Sequence, residues 1–355
     1  MKSKPAMACI FLPDDVWLYI FTYLEYEDIA ESREVQSKKV QEVTAFNDWE
    51  LALQASNLSN LQWIYAQVGL PRPKDPPGMQ LNFAVIRGTV GFDVLEWLAI
   101  VGGGPSAATF ALAARQGHFN IMEWLKEKKC AWDASTFASA AAYGSLDHLK
   151  WLKAYACPWN ADTFAAAALY GSLDNMKWLK NNSCPWNSRT FTCAALRGNM
   201  DEMMWLKQNE CPWEADTFAA AAAYGSLDNM KWMKENECPW DAATFKNAAR
   251  YGSLDNMKWL KENSCPWDSR TFATSVQKDL RCDTILENMM WLKQNACPWD
   301  SDTFTKAASH RGGTHICVLE WLKSKHCPWD EDTFNIGYCN ALVDEWVAKF
   351  IRRGW

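Results

Sequence analysis

From Cys157 to Ser183 the chain reads CPWNADTFAAAALYGSLDNMKWLKNNS, and its apolar and polar positions separate into two short blocks. The first, Phe164 to Tyr170, is almost wholly apolar and rich in alanine. Asp162-Thr163 stands in front of it, where an oxygen-bearing side chain can satisfy free N–H groups, so the pattern predicts a capped helix. Gly171 follows, and glycine ends helices because it enters the left-handed conformation cheaply. In the second block Leu173, Met176 and Leu179 recur at i, i+3 and i+6 while Asp174, Lys177 and Lys180 point elsewhere. That is one apolar face of an amphipathic helix running from Ser172 to about Lys180. Pro185 then closes it, since proline cannot continue a helix.

The helix-turn-helix pattern recurs. Thr-Phe stands at Thr109, Thr136, Thr163, Thr190, Thr217, Thr244 and Thr271, 27 residues apart, then at Thr303 and Thr333 after gaps of 32 and 30. Two tryptophan series keep the same register, from Trp97 to Trp321 and from Trp132 to Trp329. Helices of seven to ten residues are unstable alone, and one hairpin cannot cover its own apolar face. Stacked copies cover one another, so the expected fold is an all-α helix-turn-helix solenoid of about ten or eleven units. Phe83, Gly91 and Val94-Leu95-Glu96-Trp97-Leu98 extend the array backwards, with Gly103-Gly104-Pro105 in place of Cys-Pro-Trp. A looser unit runs from Trp49 to Gly69, and Pro71, Pro73, Pro76 and Pro77 mark a rigid loop after it. Residues 335–355 are expected to form a more polar C-terminal cap after regular units over 81–334.

The repeat explains the composition. The two series account for 17 of the 22 Trp, and eight of the 13 Cys form a ladder from Cys130 to Cys327. Successive units are expected ~8–10 Å apart. A disulfide needs Cα atoms within roughly 7 Å and zinc needs four converging ligands, so one cysteine per unit supplies neither and no metal is expected. These thiols are expected as small buried residues under the inter-unit turns. A net charge of −6 argues against bulk nucleic-acid binding. No run is long enough to span a membrane, and Asp14-Asp15 interrupts any signal-peptide core, so a soluble monomer in the cytoplasm of a cell is expected. No nucleophile elbow, phosphate loop or zincin motif occurs. His118, His148, His310, His315 and His326 are expected as solvated surface residues, and neither catalytic residues nor a cofactor are expected.

Ankyrin repeats carry T-P-L-H-x-A-A-x-x-G-x-L-x-x-V-x-x-L-L. Asp162-Thr163-Phe164-Ala165-Ala166-Ala167-Ala168, Gly171, Leu173, Met176 and Trp178-Leu179 resemble that pattern, shortened from 33 to 27 residues and without the segment that forms the β-hairpin finger. The unit is most similar to the short Cys-Pro-Trp ankyrin variants of giant DNA viruses, oomycetes and brown algae. That resemblance implies a protein-binding scaffold. Residues 9–47 resemble an F-box, through Leu12-Pro13-Asp14-Asp15-Val16 with Ile20-Phe21, Leu24, Glu27-Asp28-Ile29 and Val35, although Gln36–Val40 lacks the usual Cys and Trp. The resemblance implies docking on the Skp adaptor of a cullin-RING ubiquitin ligase through Leu12, Pro13, Val16, Ile20, Phe21 and Leu24. Residues 48–355 would then hold a target protein. The other reading is a binding scaffold or decoy in which 9–47 is only a helical cap.

Recognition requires positions that vary. The two residues after the first-helix Phe read Ala-Leu, Ala-Ser, Ala-Ala, Thr-Cys, Ala-Ala, Lys-Asn, Ala-Thr and Thr-Lys along the array. Tyr143, Tyr170, Arg197, Tyr224 and Tyr251 precede the turn glycines. By the ankyrin resemblance the first helices line the concave side, so these five, with Lys246 and Arg250, are candidate target contacts. The alternative is that the tyrosines only cover neighbouring units. Val276–Glu287 is either a specificity loop or a decayed repeat.

Overall fold

A computed structural model describes residues 52–53, 56–68, 78–276, 282–308 and 316–329, and among these every regular element is an α-helix. The chain divides into two compact units, Met1–Trp186 and Asn187–Trp355. The first holds α1 (Leu58–Val68), α2 (Met79–Arg87), α3 (Phe92–Val101), α4 (Ala107–Gln116), α5 (Phe119–Glu127), α6 (Ala134–Tyr143), α7 (Leu146–Ala154), α8 (Ala161–Tyr170) and α9 (Leu173–Asn181). The second holds α10 (Ser188–Arg197), α11 (Met200–Gln208), α12 (Ala215–Tyr224), α13 (Leu227–Glu235), α14 (Ala242–Tyr251), α15 (Leu254–Glu262), α16 (Ser269–Thr274), α17 (Cys282–Gln294), α18 (Ser301–Ala308) and α19 (Ile316–Ser324). First helices pack in file, α2, α4, α6, α8 in one unit and α10, α12, α14, α16, α18 in the other. Second helices fold back onto their partners, as α9 does on α8 and α15 on α14. The protein is an all-α repeat solenoid.

The caps lie earlier than the sequence pattern suggests. Helix α8 begins at Ala161, and its N-cap is Asn160, which accepts a bond from Thr163 N at 3.2 Å while Thr163 Oγ1 accepts from Asn160 N at 3.3 Å. Thr163 is thus the third helical residue of a reciprocal capping box, and its side chain is buried. Phe164, next in sequence, is buried completely, as are its counterparts from Phe110 to Phe304, while Phe83 in the first of the units is half-buried.

The turn glycines are of two kinds, which corrects the left-handed assignment of Gly171. Gly117 and Gly198 have φ of 72° and 74°, but Gly171 has φ −80° and Gly252 −83°, which is extended backbone. Close approach excludes a side chain there: a Cβ on Gly252 would lie 2.5 Å from Ala222 O and 2.8 Å from Ala248 O. The Gly-Ser-Leu-Asp turns take the extended form, while glycines followed by His118 or Asn199 take the left-handed one.

Nor does Pro185 end α9. Ser183, at φ 61°, takes the left-handed conformation, and the N–H groups of Ser183 and Cys184 return to Lys180 O and Leu179 O, each at 3.0 Å. This is a Schellman closure, and proline merely follows it. The same left-handed position holds Lys129, Ala156, Glu210, Glu237, Ser264, Ala296 and His326, none of them glycine.

Three devices join neighbouring units. Asn175, buried on α9, donates its side-chain amide to Ala141 O at 3.2 Å and Gly144 O at 3.3 Å, and Asn256 donates likewise to Ala222 O. These bonds satisfy carbonyls that the end of the preceding first helix leaves open. Two histidines occupy the same role instead of lying on the surface: His148 is buried with Nε2 3.2 Å from Gly117 O, and half-buried His118 places Nε2 3.3 Å from Ile86 O. His326 is exposed, while His310 and His315 lie outside the described residues.

The ladder cysteines form the second device. Cys157, Cys184, Cys238 and Cys265 are buried, each with Sγ 3.6–3.9 Å from the carbonyl of the N-cap residue one unit earlier. Burial pushes their pKa values up to about 12. The third device is aromatic. Phe164 packs against Trp186 at 5.0 Å between ring centroids, and Trp159 meets Trp178 edge-on at 6.1 Å. Lys153 and Lys180 cover half-buried Trp159 and Trp186 at 3.7 and 3.5 Å, cation–π contacts of at least about 0.5–1 kcal/mol each.

Before and after the strictly 27-residue units the register loosens. Leu61 and Ile64 of α1 are buried, but Trp63 is 65% exposed. Cys282 begins α17, which carries an extra turn, and is joined by a disulfide to Cys317 of α19, a pairing outside the 27-residue register. Residues 277–281, in the irregular stretch, lie outside the described residues, as do the proline loop over 69–77, the F-box-like module 9–47 and the cap 335–355.

Candidate target-binding face

The side chains expected to recognise a target sit at the C-terminal ends of first helices, beside the turn. Each of these helices is buried along most of its length because neighbouring first helices flank it and a second helix backs it. Solvent is reached at its ends and at a few side chains such as Lys246 and Arg250. In the first unit Tyr143 and Tyr170 are 44% and 41% exposed and stack at 5.2 Å with 22° between ring planes. Arg115, from the end of α4, lies over the Tyr143 ring at 4.8 Å. Burial raises the Tyr143 hydroxyl's pKa, and Arg115 pulls it the other way. These tyrosines therefore do cover neighbouring units, and less than half of each side chain reaches solvent.

In the second unit Tyr224 and Tyr251 repeat the stack at 5.2 Å and 26°. Arg250 lies over Tyr251 at 4.8 Å and is exposed, and Lys246, one helical turn before it, is half-buried. Tyr224, Lys246, Arg250 and Tyr251 thus form one patch on α12 and α14.

Arg197 is diverted. Its Nη1 donates to Glu202 Oε1 at 3.2 Å, and Glu202, on α11, has a side chain only 2% exposed. Glu202 stands where other second helices carry the buried donors Asn175, Asn229, Asn256 and Asn288. A carboxylate cannot donate, and Glu202 Oε2 has no hydrogen-bond partner. Burial raises its pKa to about 7, against the pull of Arg197. Neither Arg115 nor Glu202 is evident as a participant in the sequence. Arg115 sits one residue before the register of the tyrosine row, and Glu202 reads there as one more helix-surface acid.

Leu12, Pro13, Val16, Ile20, Phe21 and Leu24 lie outside the described residues. Among the described residues no group of three or more His, Cys, Asp or Glu side chains could hold a metal ion, and no helix is long and apolar enough to cross a membrane.

No protein-family model and no curated protein matches the chain. Among solved structures it is similar to the pentatricopeptide repeat protein PPR10 in complex with an 18-nt psaJ RNA element, at TM-score 0.39 and 14% identity over 97% of this chain and 58% of that one. It is also similar to PPR10 from maize, at TM-score 0.36 and 14% identity over 97% of this chain and 59% of that one. The chain thus spans less than two thirds of the length of either structure.

Proposed function

We propose that the chain is a protein-binding scaffold that serves as the substrate-recognition adaptor of a Skp–cullin–F-box ubiquitin ligase. The repeats would hold a target protein and residues 9–47 would recruit Skp, with catalysis on partner subunits. One observation supports the scaffold half above others. The Phe and Thr positions that build the units recur and are buried from Phe110 to Phe304, whereas the positions of Lys246 and Arg250 vary from unit to unit and these two side chains reach solvent. Such separation of structural from variable exposed positions is what a repeat needs to change partner without changing fold. The ligase half rests on the F-box-like residues Leu12, Pro13, Val16, Ile20, Phe21 and Leu24.

The departures at Gln36–Val40 favour a second reading, a binding scaffold or decoy without ligase recruitment. Retention of purified Skp on the immobilised full chain separates the two. The adaptor reading expects retention that is lost in the Leu12→Ala, Pro13→Ala double variant. No retention by the wild type, or equal retention by the variant, would leave the scaffold alone.

A further inference from the structure

The regular first helices of the second unit differ most sharply at two aligned positions. Where α12 carries Ala219 and Ala223, α14 carries Lys246 and Arg250, four residues apart on one face. Two like charges at i, i+4 destabilise a helix by about 0.2–0.5 kcal/mol, and alanine is the better helix former at both positions. Folding alone thus gives no reason for the exchange. Other cations on this file of helices are neutralised: Arg197 by Glu202, Arg270 by Asp268 and Lys306 by Asp302. Among the described residues no carboxylate lies within ion-pairing distance of Lys246 or Arg250. Arg250 lies over Tyr251, itself stacked on Tyr224, which sets the guanidinium against a ring pair at the solvent edge of the helix.

We propose that Lys246 and Arg250 bind a carboxylate-bearing segment of a partner protein. The proposal rests on the reading of the array as a protein-binding scaffold and names the chemistry of its target. Side chains at i and i+4 on a helix have Cβ atoms about 5–6 Å apart. In an extended peptide, residues two apart lie about 6.5 Å from one another on the same side, since each adds 3.2–3.4 Å. Two acidic residues separated by one other, in an extended segment, therefore match the pair. The planar guanidinium can take a carboxylate through two parallel N–H···O bonds, and the ammonium takes the other as a point charge. A nucleic acid presents the wrong balance. Two cations neutralise only two phosphates, and the net charge of −6 repels a long polyanion.

The test measures fluorescence anisotropy of labelled peptides on the full chain. One peptide carries Glu-x-Glu in a neutral background, a second carries Gln-x-Gln, and a third probe is single-stranded oligoadenylate. The Glu-x-Glu peptide is expected to bind and to weaken at least tenfold in the Lys246→Ala, Arg250→Ala variant, whose alanines match those of α12. The Lys246→Glu, Arg250→Glu variant is expected to bind a Lys-x-Lys peptide that wild type ignores, which keeps the outcome readable if truncation perturbs α14. Equal binding of the glutamine peptide, or an unchanged affinity in the alanine variant, would overturn the proposal. Oligoadenylate binding that is as tight and equally sensitive to these substitutions would assign the patch to nucleic acid instead. A concentration-dependent dimer lost in the variant would assign it to a second copy of the chain. Skp retention, measured on the same preparations, is independent of all these outcomes, so failure of the ligase reading and failure of this one are distinguishable.

Discussion

The side-chain amide of Asn175 donates to the main-chain carbonyl of Ala141, 34 residues earlier in the chain. The bond joins the second helix of one unit to the first helix of the unit before, at the point where α6 runs out of internal donors. A buried carbonyl that loses its partner costs about 1–3 kcal/mol, whereas the gain from a made bond is nearer 1. Asn175→Leu removes the donor and strands both Ala141 O and Gly144 O. We expect a loss of about 2 kcal/mol, read as a lower urea midpoint, and faster hydrogen exchange at the end of α6. Asn182→Leu, whose amide bonds only within its own hairpin, is the comparison and is expected to cost less. Equal losses from the two would show that the inter-unit bond has no special weight.

Glu202 occupies the corresponding position in α11 and turns it into a pH-dependent element. Its folded pKa of about 7 lies above the ordinary carboxylate range, so the folded chain holds the proton more tightly than the unfolded one. The stability from this group is therefore fully present below the ordinary glutamate pKa of about 4.3 and is lost as pH rises through about 7. Between roughly pH 5 and pH 8 the wild type should lose on the order of 2 kcal/mol on this account, at 1.36 kcal/mol for each pKa unit. Glu202→Asn restores the residue found at Asn175, Asn229 and Asn256 and should flatten that slope while stabilising the chain at the alkaline end. Denaturant midpoints measured across this pH range decide it. A slope identical in wild type and variant would show that Glu202 is not its source.

How far these relationships can be read in advance depends on what each residue does. The 27-residue register and the helix pair follow from the recurrence of Thr163-Phe164 and Leu173, Met176, Leu179, because burial of an apolar face is a property of spacing. The locations of caps and closures are less legible. Asn160 and Asp162 are both competent caps, and only the backbone reveals that Thr163 is the third residue of the helix. Gly171 and Gly198 look alike in sequence, yet one is required by the approach of Ala141 and the other by a positive φ. The inter-unit bonds of Asn175 and His148 reach back 34 and 31 residues, beyond any local pattern. The binding face is partly legible: Tyr143 and Tyr170 fall into register, but their mutual stacking and the capture of Arg197 by Glu202 need three dimensions.

The ladder cysteines should be chemically silent in the folded chain. A thiol reacts as its thiolate, and burial that raises the pKa of Cys157, Cys184 and Cys265 to about 12 leaves a minute thiolate fraction at mildly alkaline pH. Cys130, half-buried and raised only to about 11, should be the first of the ladder to react. Alkylation with iodoacetamide at about pH 8, followed by peptide mapping, is expected to modify Cys157, Cys184 and Cys265 only after denaturant is added, with Cys130 ahead of them in the folded chain. Native-state modification of Cys157 or Cys184 at the rate of a free thiol would contradict the buried assignment.

The inter-unit turn should accept glycine with a gain in stability. Ala156, Ser183, Glu210, Glu237 and Ala296 all hold φ between 57° and 62°, where a Cβ crowds the carbonyl and costs roughly 1–2 kcal/mol relative to glycine. Glycine also enlarges the unfolded ensemble, which returns about 0.5–1 kcal/mol of that gain. Ala156→Gly is the cleanest case, since its methyl is exposed and loses no packing. A net stabilisation of about 0.5–1 kcal/mol is expected at this site and at Glu237, measured as an increased urea midpoint with an unchanged slope. The two sites lie in different compact units and share no partner, so their effects should add within about 0.3–0.5 kcal/mol. Destabilisation by both substitutions would mean that the side chain at this position contributes more than its backbone strain costs.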